Sequence, residues 1–294
     1  MDNQGIFTGE IDNLNITTLM NDKSDKQKPY LAQHGISFFL EFDSEGEKHY
    51  MIFDTGQEHE PILYNAKALG IDLSKVEKIF LSHCHNDHTG GLFGLLKIID
   101  KNIEIIGHSK LFRSTYKKVE NMIYKGVEER NSIENIKKIV DKLNLTKKPF
   151  EIFPGLISTG EVERFTGDEP TGYYNKNEEN KYENDYFLDD MSLVFNLKSK
   201  GLFIVTGCSH AGIVEIIDHS INITGNDKVH GIIGGLHLLN KDEVEINEII
   251  AKLAKYDMEF VSAGHCTGLA AEYLLSKKYG EKFKELMAGK VFEI

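Results

Sequence analysis

The chain has 294 residues, and 34 lysines and arginines against 46 aspartates and glutamates give it a formal net charge of −12 at pH 7. This length can bury a large core, and a composition of 40% hydrophobic and 27% charged residues is ordinary for a globular enzyme. These values disfavour a disordered or fibrous chain, and the acidic balance disfavours broad binding to nucleic-acid phosphates.

The amino terminus and the apolar runs predict the location of the protein. The first twelve residues, MDNQGIFTGEID, carry acids where a secretory signal carries bases. No apolar run approaches the roughly 20 residues that a membrane-spanning helix needs. We therefore expect a cytoplasmic protein that acts on a small molecule and binds neither membrane nor nucleic acid. A homodimer is possible.

Short apolar segments separated by turns predict strands in the first third of the chain. These segments are residues 15–20, 36–42, 49–54 and 76–82. The polar residues 43–47 predict a hairpin turn between two of them. Apolar residues at helical spacing predict a helix over 61–69, which Gly70 would end.

The middle of the chain has a different pattern from the strand-rich parts on either side. Apolar residues three and four apart predict one or two surface helices over 110–148. Residues 166–186 are polar with scattered tyrosines, and they predict a long loop that is either a lid or a mobile surface insertion.

The strand pattern returns in the last third of the chain. The predicted strands are residues 193–197, 202–206, 229–233 and 260–263, with a helix over 242–253. The chain therefore contains two strand-rich halves, each followed by helices. This order predicts two sheets that pack face to face with helices on the outside.

Three imidazoles and one carboxylate occur within six residues directly after the predicted strand 76–82. In an extended segment His83 and His85 point the same way and can bind one ion, while Asp87 and His88 can reach a second ion after a turn. A solvated polar turn is the alternative. Imidazoles with a carboxylate suit Zn²⁺ or another late first-row dication, with Fe or Mn left open.

Each of the three cysteines has a histidine next to it or two residues away. Cys84 lies between two histidines, Cys208 comes two residues before His210, and Cys266 follows His265 directly. A reduced thiol close to a histidine is a candidate metal ligand. Three small buried residues would be the plainer interpretation.

The string HCHNDH at residues 83–88 resembles the H-x-H-x-D-H signature of the metallo-β-lactamase superfamily, and Thr-Gly-Gly follows it. The FDTG string at 53–56 is similar to the family segment in which an aspartate, here Asp54, supports the metal site. The Gly-His pair ending at His265 is similar to the late family segment that supplies a ligand to the second metal. These matches run from about residue 15 to residue 268.

The resemblance implies an α/β fold: a four-layer αββα sandwich of two packed mixed β-sheets with helices on the outer faces. It also implies a single domain over residues 1–294, with a helical or loop insertion at about 110–186. Two divalent metal ions, most often Zn²⁺, would be the cofactors.

The middle ligands of the family site are less clear in this sequence. Where the family has Thr-Gly-Asp, this chain has Thr-Gly-Cys ending at Cys208, with His210 two residues later. Either residue, or both, could face the metals. Asp190 lies near the position where the family often has another histidine, and it is either a replacement ligand or a cap of a helix or turn.

Further stretches resemble the subgroup named after dihydropterin ribofuranosyl-aminobenzene phosphate synthase. They are residues 34–37, 158–161, 206–212, 234–238 and 264–268. The resemblance implies that His34, Glu161 and Arg164 contact substrate. The subgroup has proline where this chain has Glu163, directly before Arg164.

Two adjacent dications can lower the pKa of a bridging water to about 7 and so provide hydroxide at neutral pH. We therefore predict a dinuclear metal-dependent hydrolase of a small, anionic ester, thioester, lactone or phosphoester. Asp87 would orient the water as well as bind metal. His237 lies at a glycine-rich strand end. It is either a catalytic residue, which contacts substrate or donates a proton, or a histidine of the core. His265 is the other candidate proton donor.

Two other functions are also compatible with the sequence. One is a pterin or ribosyl-phosphate transferase that resembles the namesake of the subgroup; it would need a phosphate pocket, for which the candidates are Lys110, Arg113 and Arg164. The other is a non-catalytic metal-binding or thiol redox sensor that uses the three cysteines.

Overall fold

The computed structural model describes residues 6–99, 103–140, 142–164, 172–177 and 179–294. The helices are α1 (His59–Leu69), α2 (Asn86–Thr89), α3 (Leu92–Leu96), α4 (Ile133–Ile136), α5 (Ile213–Thr224), α6 (Glu243–Leu253) and α7 (Leu269–Tyr279). Among the described residues, none of these helices has the length and apolar character to cross a bilayer.

The strands follow the same chain order. They are β1 (Ile11–Met20), β2 (Ser37–Ser44), β3 (Glu47–Phe53), β4 (Lys78–Phe80), β5 (Glu104–Gly107), β6 (Thr115–Lys118), β7 (Met122–Tyr124), β8 (Lys142–Leu145), β9 (Phe150–Phe153), β10 (Leu156–Ser158), β11 (Tyr173–Lys176), β12 (Tyr182–Asn184), β13 (Leu193–Leu197), β14 (Gly201–Thr206), β15 (Val229–Gly235), β16 (Phe260–Gly264), β17 (Phe283–Glu285) and β18 (Val291–Glu293).

Local sequence signals set the ends of the principal helices. Gly70 follows α1 with a φ of 72°, and its N–H bonds to carbonyls of the last turn, as predicted. At the start of α6 the Asp242 side chain accepts from the Glu245 N–H while the Glu245 side chain accepts from the Asp242 N–H. Both predicted helices are confirmed.

The main sheet has two mixed halves. The first half has the order β1-β2-β3-β4-β5-β8 and becomes parallel from β3 onward. The second half has the order β13-β14-β15-β16-β17 and becomes parallel from β14 onward. Among the described residues a single residue pair, Ile11 with Leu197, joins the two halves at their edges, and the halves correspond to the two predicted sheets.

Three buried clusters separate four layers. The central cluster contains Phe38 and Phe53 of the first half against Phe195 and Phe203 of the second, all fully buried. A second cluster lies under α1 and α3, and a third lies under α5, α6 and α7. Each buried aromatic or aliphatic side chain contributes roughly 1.5–3 kcal/mol. The predicted αββα sandwich is confirmed.

A separate four-stranded sheet, in the order β12-β11-β6-β7, lies within residues 110–186. We call it the flap sheet. The prediction of surface helices over 110–148 is wrong for most of the described residues there, where only α4 and a 3₁₀ turn are helical. The alternating tyrosines form cross-strand pairs instead, because Tyr116 packs against Tyr124 and Tyr182.

The predicted loop over 166–186 also contains part of the flap sheet. Strands β11 and β12 pair as a hairpin, from Tyr174 with Asn184 to Lys176 with Tyr182. Residues 165–171 and 178 lie outside the described part of the chain. Within the predicted insertion, β8 pairs with β5 and β10 pairs with β13, so these two strands belong to the main sheet.

Candidate metal centre and pocket

Polar side chains follow the ends of several strands of the main sheet, and they meet at one edge of the sandwich. Asp22 follows β1, Asp54 follows β3, and the 83–88 segment follows β4. The second half contributes residues after β14, β15 and β16. Carboxyl ends of parallel strands commonly form binding sites because loops there converge.

Three imidazoles form the first group of converging atoms. The Nε2 atom of His83 lies 3.1 Å from Nδ1 of His85, and Nε2 of His210 lies 3.2 Å from the same His85 atom. All three side chains offer ligand atoms within 4.8 Å of one another. The structure therefore brings His210, rather than Asp190, to the pair from the HxH segment.

A second group lies beside the first. The Nε2 atoms of His88 and His265 are 3.3 Å apart, and an Asp87 carboxylate oxygen lies 3.3 Å from His265 Nε2. Cys208 Sγ lies 3.1 Å from His88 Nε2. Since Cys208, His83 and His88 also converge within 4.8 Å, the thiol lies between the two groups.

Hydrogen bonds on the far side of the rings fix their orientation. Ser82 Oγ donates to Asp54, so the same oxygen accepts from Nδ1 of His83 at 2.9 Å. His88 Nδ1 lies 2.6 Å from the Asp54 carboxylate, which makes Nδ1 the donor. These bonds leave the Nε2 lone pairs of His83 and His88 directed into the cluster, which is the usual arrangement behind a metal-binding histidine.

Asp22 has the same role for another part of the site. One of its carboxylate oxygens lies 2.8 Å from Nδ1 of His265, and the other lies 3.1 Å from Nδ1 of His34. His34 Nε2 in turn lies 3.3 Å from the Asp87 carboxylate. Asp22 therefore orients two rings that both face Asp87.

Burial sets the protonation of the first group. It lowers the pKa of His83 and of His210 well below the ordinary value, with neighbouring histidines adding to the effect. Burial lowers the pKa of His85 to about 3. These rings are neutral at physiological pH, which is the form that binds a metal ion.

The carboxylates are held ionised against the effect of burial. Burial alone would raise the pKa of Asp87, but the charge of His88 and the hydrogen bond from His265 bring it well below the usual range. The pKa of Asp22 is likewise lowered, because its bonds to His265 and His34 outweigh its burial. The same hydrogen bonds raise the pKa of His265 against its burial, so the ionised carboxylates lie beside a protonated ring in this group and beside neutral rings only in the first group.

The donor set fits divalent metal ions. Two nitrogens bound to one tetrahedral ion at about 2.0–2.1 Å would lie about 3.3 Å apart. The spacings of 3.1–3.3 Å between nitrogens in both groups match that separation. Imidazole and carboxylate with one thiolate favour Zn²⁺ or another late first-row dication. Residues His83, His85 and His210 could hold one ion, and Asp87, His88 and His265 a second.

Backbone geometry at the site is strained. Four residues other than glycine adopt positive φ angles here: Asp54 (54°), Ser209 (59°), His237 (52°) and His265 (54°). Such conformations cost of order 1–3 kcal/mol each and persist where surrounding contacts enforce them. Backbone strain is therefore present at the strand ends that carry the site.

Gly207 shows how closely the two halves approach. A Cβ atom at this position would lie 2.2 Å from Ser82 Oγ and 2.9 Å from an Asp54 oxygen. Any side chain would displace the groups that orient His83 and His88. The glycine of the Thr-Gly-Cys string is therefore required by packing.

A buried ionic cluster lies behind the 83–88 segment. Arg113 donates to both oxygens of Asp185 and to Asp189, at 2.7–2.9 Å, and it also contacts the Cys84 thiol. Asp189 accepts from the Cys84 N–H at 2.8 Å. Arg113 pairs with these two acids and does not line the pocket that opens over the metal-binding groups, so nothing in this geometry supports its prediction as a phosphate ligand.

A pocket of about 740 Å³ opens over the metal-binding groups. Its floor includes His85, Asp87 and Cys208, and Tyr173 and Phe187 form part of its wall. Five basic side chains line it: Lys117, Lys125, Arg164, Lys241 and Lys252. Asp22, Asp87, Glu215 and Glu245 line it as well, and Lys241 pairs with Glu245 at 3.2 Å, so the basic wall lies beside acidic groups.

The remaining predicted residues lie at different distances from the centre. His237 lines the pocket with its ring 4.2 Å from that of His210, and its buried Nδ1 has no hydrogen-bond partner in the described part of the chain. Arg164 and His34 also line the pocket. Glu161 faces the buried His108 instead, at 3.4 Å.

Asp190 supports the site from beneath. One oxygen accepts from the Ala211 N–H at 2.8 Å, directly after His210, while the other has no hydrogen-bond partner among the described residues. Burial raises the pKa of Asp190 to about 7. In this structure its visible contact is with the backbone that carries His210.

Comparisons with known proteins were consistent with this geometry. The model of the metallo-beta-lactamase superfamily matches residues 37–172. A synthase from Methanocaldococcus jannaschii, 7,8-dihydropterin-6-methyl-4-(beta-D-ribofuranosyl)-aminobenzene-5'-phosphate synthase, is 37% identical over 290 residues, covering 97% of this chain and 98% of the relative. The chain belongs to the metallo-beta-lactamase superfamily.

Solved structures agree with the family assignment. A metal-dependent hydrolase of the beta-lactamase superfamily aligns with a TM-score of 0.80 at 26% identity, covering 96% of this chain and 99% of its own. Human tRNase Z, short form, aligns with a TM-score of 0.51 at 14% identity, covering 95% and 98%. The second likeness shows the metallo-beta-lactamase fold alone.

The sequence reasoning missed two residues of the metallo-beta-lactamase site that the structure brings in. Asp22 follows β1 as Asp54 follows β3, and an acid directly after a predicted strand was the available signal. Cys266 was noted only for its neighbour His265, yet its Sγ converges with Cys208 and His265 within 4.8 Å. No local sequence feature pairs residues 208 and 266, because they lie 58 positions apart.

Proposed function

We propose that this metallo-beta-lactamase superfamily member is a dinuclear metal-dependent hydrolase of a small anionic ester, thioester, lactone or phosphoester. The observation that carries the proposal is the pair of converging ligand groups on the floor of a pocket with basic walls. Membership in a superfamily that includes metal-dependent hydrolases supports it. Zn²⁺ is the proposed ion, and the cytoplasm the proposed location.

The residues that would hold the ions are those of the two groups, with Cys208 between them. When bound, two divalent ions lower the pKa of water to about 7 and polarise the bond that is attacked. The neutral imidazoles of His83, His85 and His210 and the ionised Asp87 are already in the protonation states that such binding requires, whereas His265 would lose a proton on binding.

Asp87 is placed to orient a water molecule as well as to bind metal. Its carboxylate contacts both His265 and His34 and lines the pocket. A carboxylate oxygen held by two imidazoles has a fixed direction, and a fixed acceptor orients an O–H donor for attack. The loss of this group would remove a ligand and a positioning contact together.

In this proposal His237 protonates the leaving group. Its ring lies next to His210 on the pocket wall, and the Nδ1 atom is buried without a partner in the described residues. A side-chain nitrogen that has no hydrogen-bond partner in the absence of substrate can exchange a proton with a bound substrate. His34, whose side chain is 61% exposed, lies at the mouth of the same pocket.

The basic wall accounts for the proposed anionic substrate. Lys117 lies on β6 and Lys125 directly follows β7, so both belong to the flap side of the pocket. Arg164 lies in the loop after β10, Lys241 lies just before α6, and Lys252 lies near the end of α6. Lys241 pairs with Glu245, so the other four cations would attract a negative group, and more strongly than in open solvent because the walls have a low dielectric constant.

Turnover by the metal-loaded protein tests the proposal. Stripped protein reloaded with Zn²⁺ should hydrolyse members of a panel of aryl phosphoesters, thioesters and lactones, and Asp87→Asn should lose activity at least about 100-fold. Asp43→Asn, a surface carboxylate on β2, is the matched control and should retain activity. Failure of the whole panel, or a fully active Asp87→Asn protein, would contradict the proposal.

A synthase reaction is the second candidate, because the 37% identity to the Methanocaldococcus jannaschii synthase extends over nearly both entire chains. The reaction would join a dihydropterin to a ribofuranosyl-aminobenzene phosphate, and the basic wall would bind the phosphate. Incubation with these two compounds, the pterin carrying a diphosphate leaving group, should give the joined product by mass spectrometry. Formation of that product without hydrolysis of the panel would favour the synthase.

A further inference from the structure

Two thiols meet in the pocket wall. The sulfur atoms of Cys208 and Cys266 belong to one group of ligand atoms that lie within 4.8 Å of one another, and Cys266 Sγ lies 3.5 Å from the Cys208 carbonyl. Both residues line the pocket, and Cys266 is only partly buried. An oxidant that enters the pocket can therefore reach them.

The middle strand makes this approach possible. Cys208 follows β14 and Cys266 follows β16, and β15 lies between these strands. At the end of β15, a Cβ atom on Gly235 would lie 2.6 Å from Cys266 Sγ and 3.4 Å from the Cys208 Cα. Because Gly235 has no side chain, the two cysteines can contact each other across the end of the strand.

The third thiol is kept apart. Cys84 is fully buried behind the 83–88 segment, and its sulfur contacts Arg113. Unlike Cys208 and Cys266, it does not line the pocket among the described residues. Cys208 and Cys266 are thus the reactive pair, and Cys84 is a thiol that should remain reduced and serve as an internal control.

We propose that Cys208 and Cys266 form a reversible disulfide when the pocket is exposed to a peroxide, and that this bond removes Cys208 from the metal centre. One thiolate attacks the peroxide, the O–O bond breaks, and a sulfenic acid and one hydroxide or alkoxide form. The second thiol then displaces water from the sulfenic sulfur. In total two thiols lose two electrons and two protons to the peroxide.

The bond would couple the redox state to metal content. A disulfide sulfur is a poor ligand compared with a thiolate, so closing the bond removes a donor from between the two groups. The His83, His85 and His210 group would keep its nitrogens, whereas the group around His88 and His265 would lose a neighbouring donor. This part of the proposal rests on the proposed metal centre; bond formation itself does not.

The first test counts thiols in the unfolded protein after hydrogen peroxide treatment of the metal-free chain. We expect three free thiols before treatment and one after it, a mass loss of two hydrogens, and one cross-linked peptide pair containing residues 208 and 266. Dithiothreitol should restore all three. The proposal would be overturned if three free thiols remained after treatment, if the disulfide included Cys84, or if Cys208 were overoxidised without cross-linking.

The second test follows metal in the Zn²⁺-loaded protein. The wild-type chain should release zinc to a colorimetric chelator during peroxide treatment, and Cys266→Ser, which keeps Cys208, should release it at least several-fold more slowly. Equal release from the two proteins would overturn the link to metal. Because thiol counting needs neither metal nor substrate, its outcome is independent of the hydrolase proposal.

Discussion

Asp22 bonds to two histidines and reaches the metal-binding groups only through them. Its two oxygens contact Nδ1 of His265 and Nδ1 of His34, so each ring presents its Nε2 atom toward Asp87. A carboxylate behind a metal-binding imidazole fixes the tautomer and raises the basicity of the ligand. Asp22 is thus a positioning residue whose effect should appear in metal affinity.

Replacement of Asp22 by Asn should weaken zinc binding at the second group by about 10–100-fold, because the amide can orient only one ring and carries no charge. Competitive zinc titration measures this change. Asp25→Asn is the matched control, since Asp25 pairs with Lys290 at 3.6 Å and contacts no histidine in the described ion pairs. Unchanged zinc affinity in Asp22→Asn would contradict the role.

Asp190 should make the stability of the metal-free protein depend on pH. Burial raises its pKa from 3.8 to about 7, so the folded state retains a proton that the unfolded state releases. Its contribution to stability is complete below about pH 4 and is lost as the pH rises toward 7. The free energy of unfolding of wild type minus that of Asp190→Asn should therefore fall over this range.

Urea unfolding of both metal-free proteins at about pH 5 and pH 8 gives this difference. The asparagine can still accept the Ala211 N–H, so the variant preserves the contact below His210 while removing the titrating group. A difference that is constant or grows with pH would show that Asp190 ionises normally in the fold.

At the scale of elements, Arg113 ties the flap sheet to the metal-binding segment. Arg113 precedes β6, and its partner Asp185 follows β12. Its other partner, Asp189, accepts from the N–H of Cys84, the residue between the ligands His83 and His85. Its side chain is only 14% exposed, and both partners are fully buried. Removal of one partner from such a cluster leaves buried charge uncompensated.

Arg113→Met should therefore destabilise the protein by about 3–5 kcal/mol in urea unfolding. Arg130 is the matched control, because it also pairs with two acids, Glu58 and Glu128, but its side chain is 38% exposed. Arg130→Met should cost about 0–1 kcal/mol. Equal effects of the two substitutions would contradict the structural importance of the buried cluster.

The flap sheet should also affect substrate binding through Lys125. This residue follows β7 and lines the pocket, whereas Lys118 at the end of β6 does not. Lys125→Ala should raise KM for an anionic substrate several-fold with little change in kcat, since it removes a charge that acts equally on the bound substrate and on the transition state. Lys118→Ala is the control; equal KM values for the two variants would contradict this role.

The elements that could be predicted from the sequence are those with a regular local pattern. The β2–β3 and β13–β14 hairpins, α1 and α6 follow hydrophobic period and cap residues that act within a few positions. The flap sheet could not be predicted, because its strands are short and polar and because they pair with strands that are distant in the sequence, as Tyr174 pairs with Tyr116. The helical spacing of Ile133 and Ile136 is realised only in the short helix α4, and Leu143 of the same apolar pattern lies in strand β8.

At the scale of the whole molecule, the site was predictable where one segment carries it. The HCHNDH string places three imidazoles and a carboxylate after β4, and its spacing alone indicates metal binding. The remaining donors come from strand ends that lie more than 100 positions away, such as His210. Their convergence depends on how the two halves fold together, and a local pattern does not specify it.

The same reasoning explains the uncertainty at the middle ligands. The sequence placed Cys208, His210 and Asp190 as alternatives, and the structure gives each a different contact: with His88, with His85 and with the Ala211 N–H. The partners His88 and His85 lie more than 100 positions away from Cys208 and His210 in the sequence, so only the folded chain distinguishes these contacts.

The central claim is that two divalent ions bind side by side in this centre. Anomalous diffraction at the zinc edge from crystals of the Zn²⁺-loaded protein tests it most directly. The account predicts two peaks per chain, one among His83, His85 and His210 and one among Asp87, His88 and His265. A single peak, or zinc bound elsewhere on the chain, would contradict it.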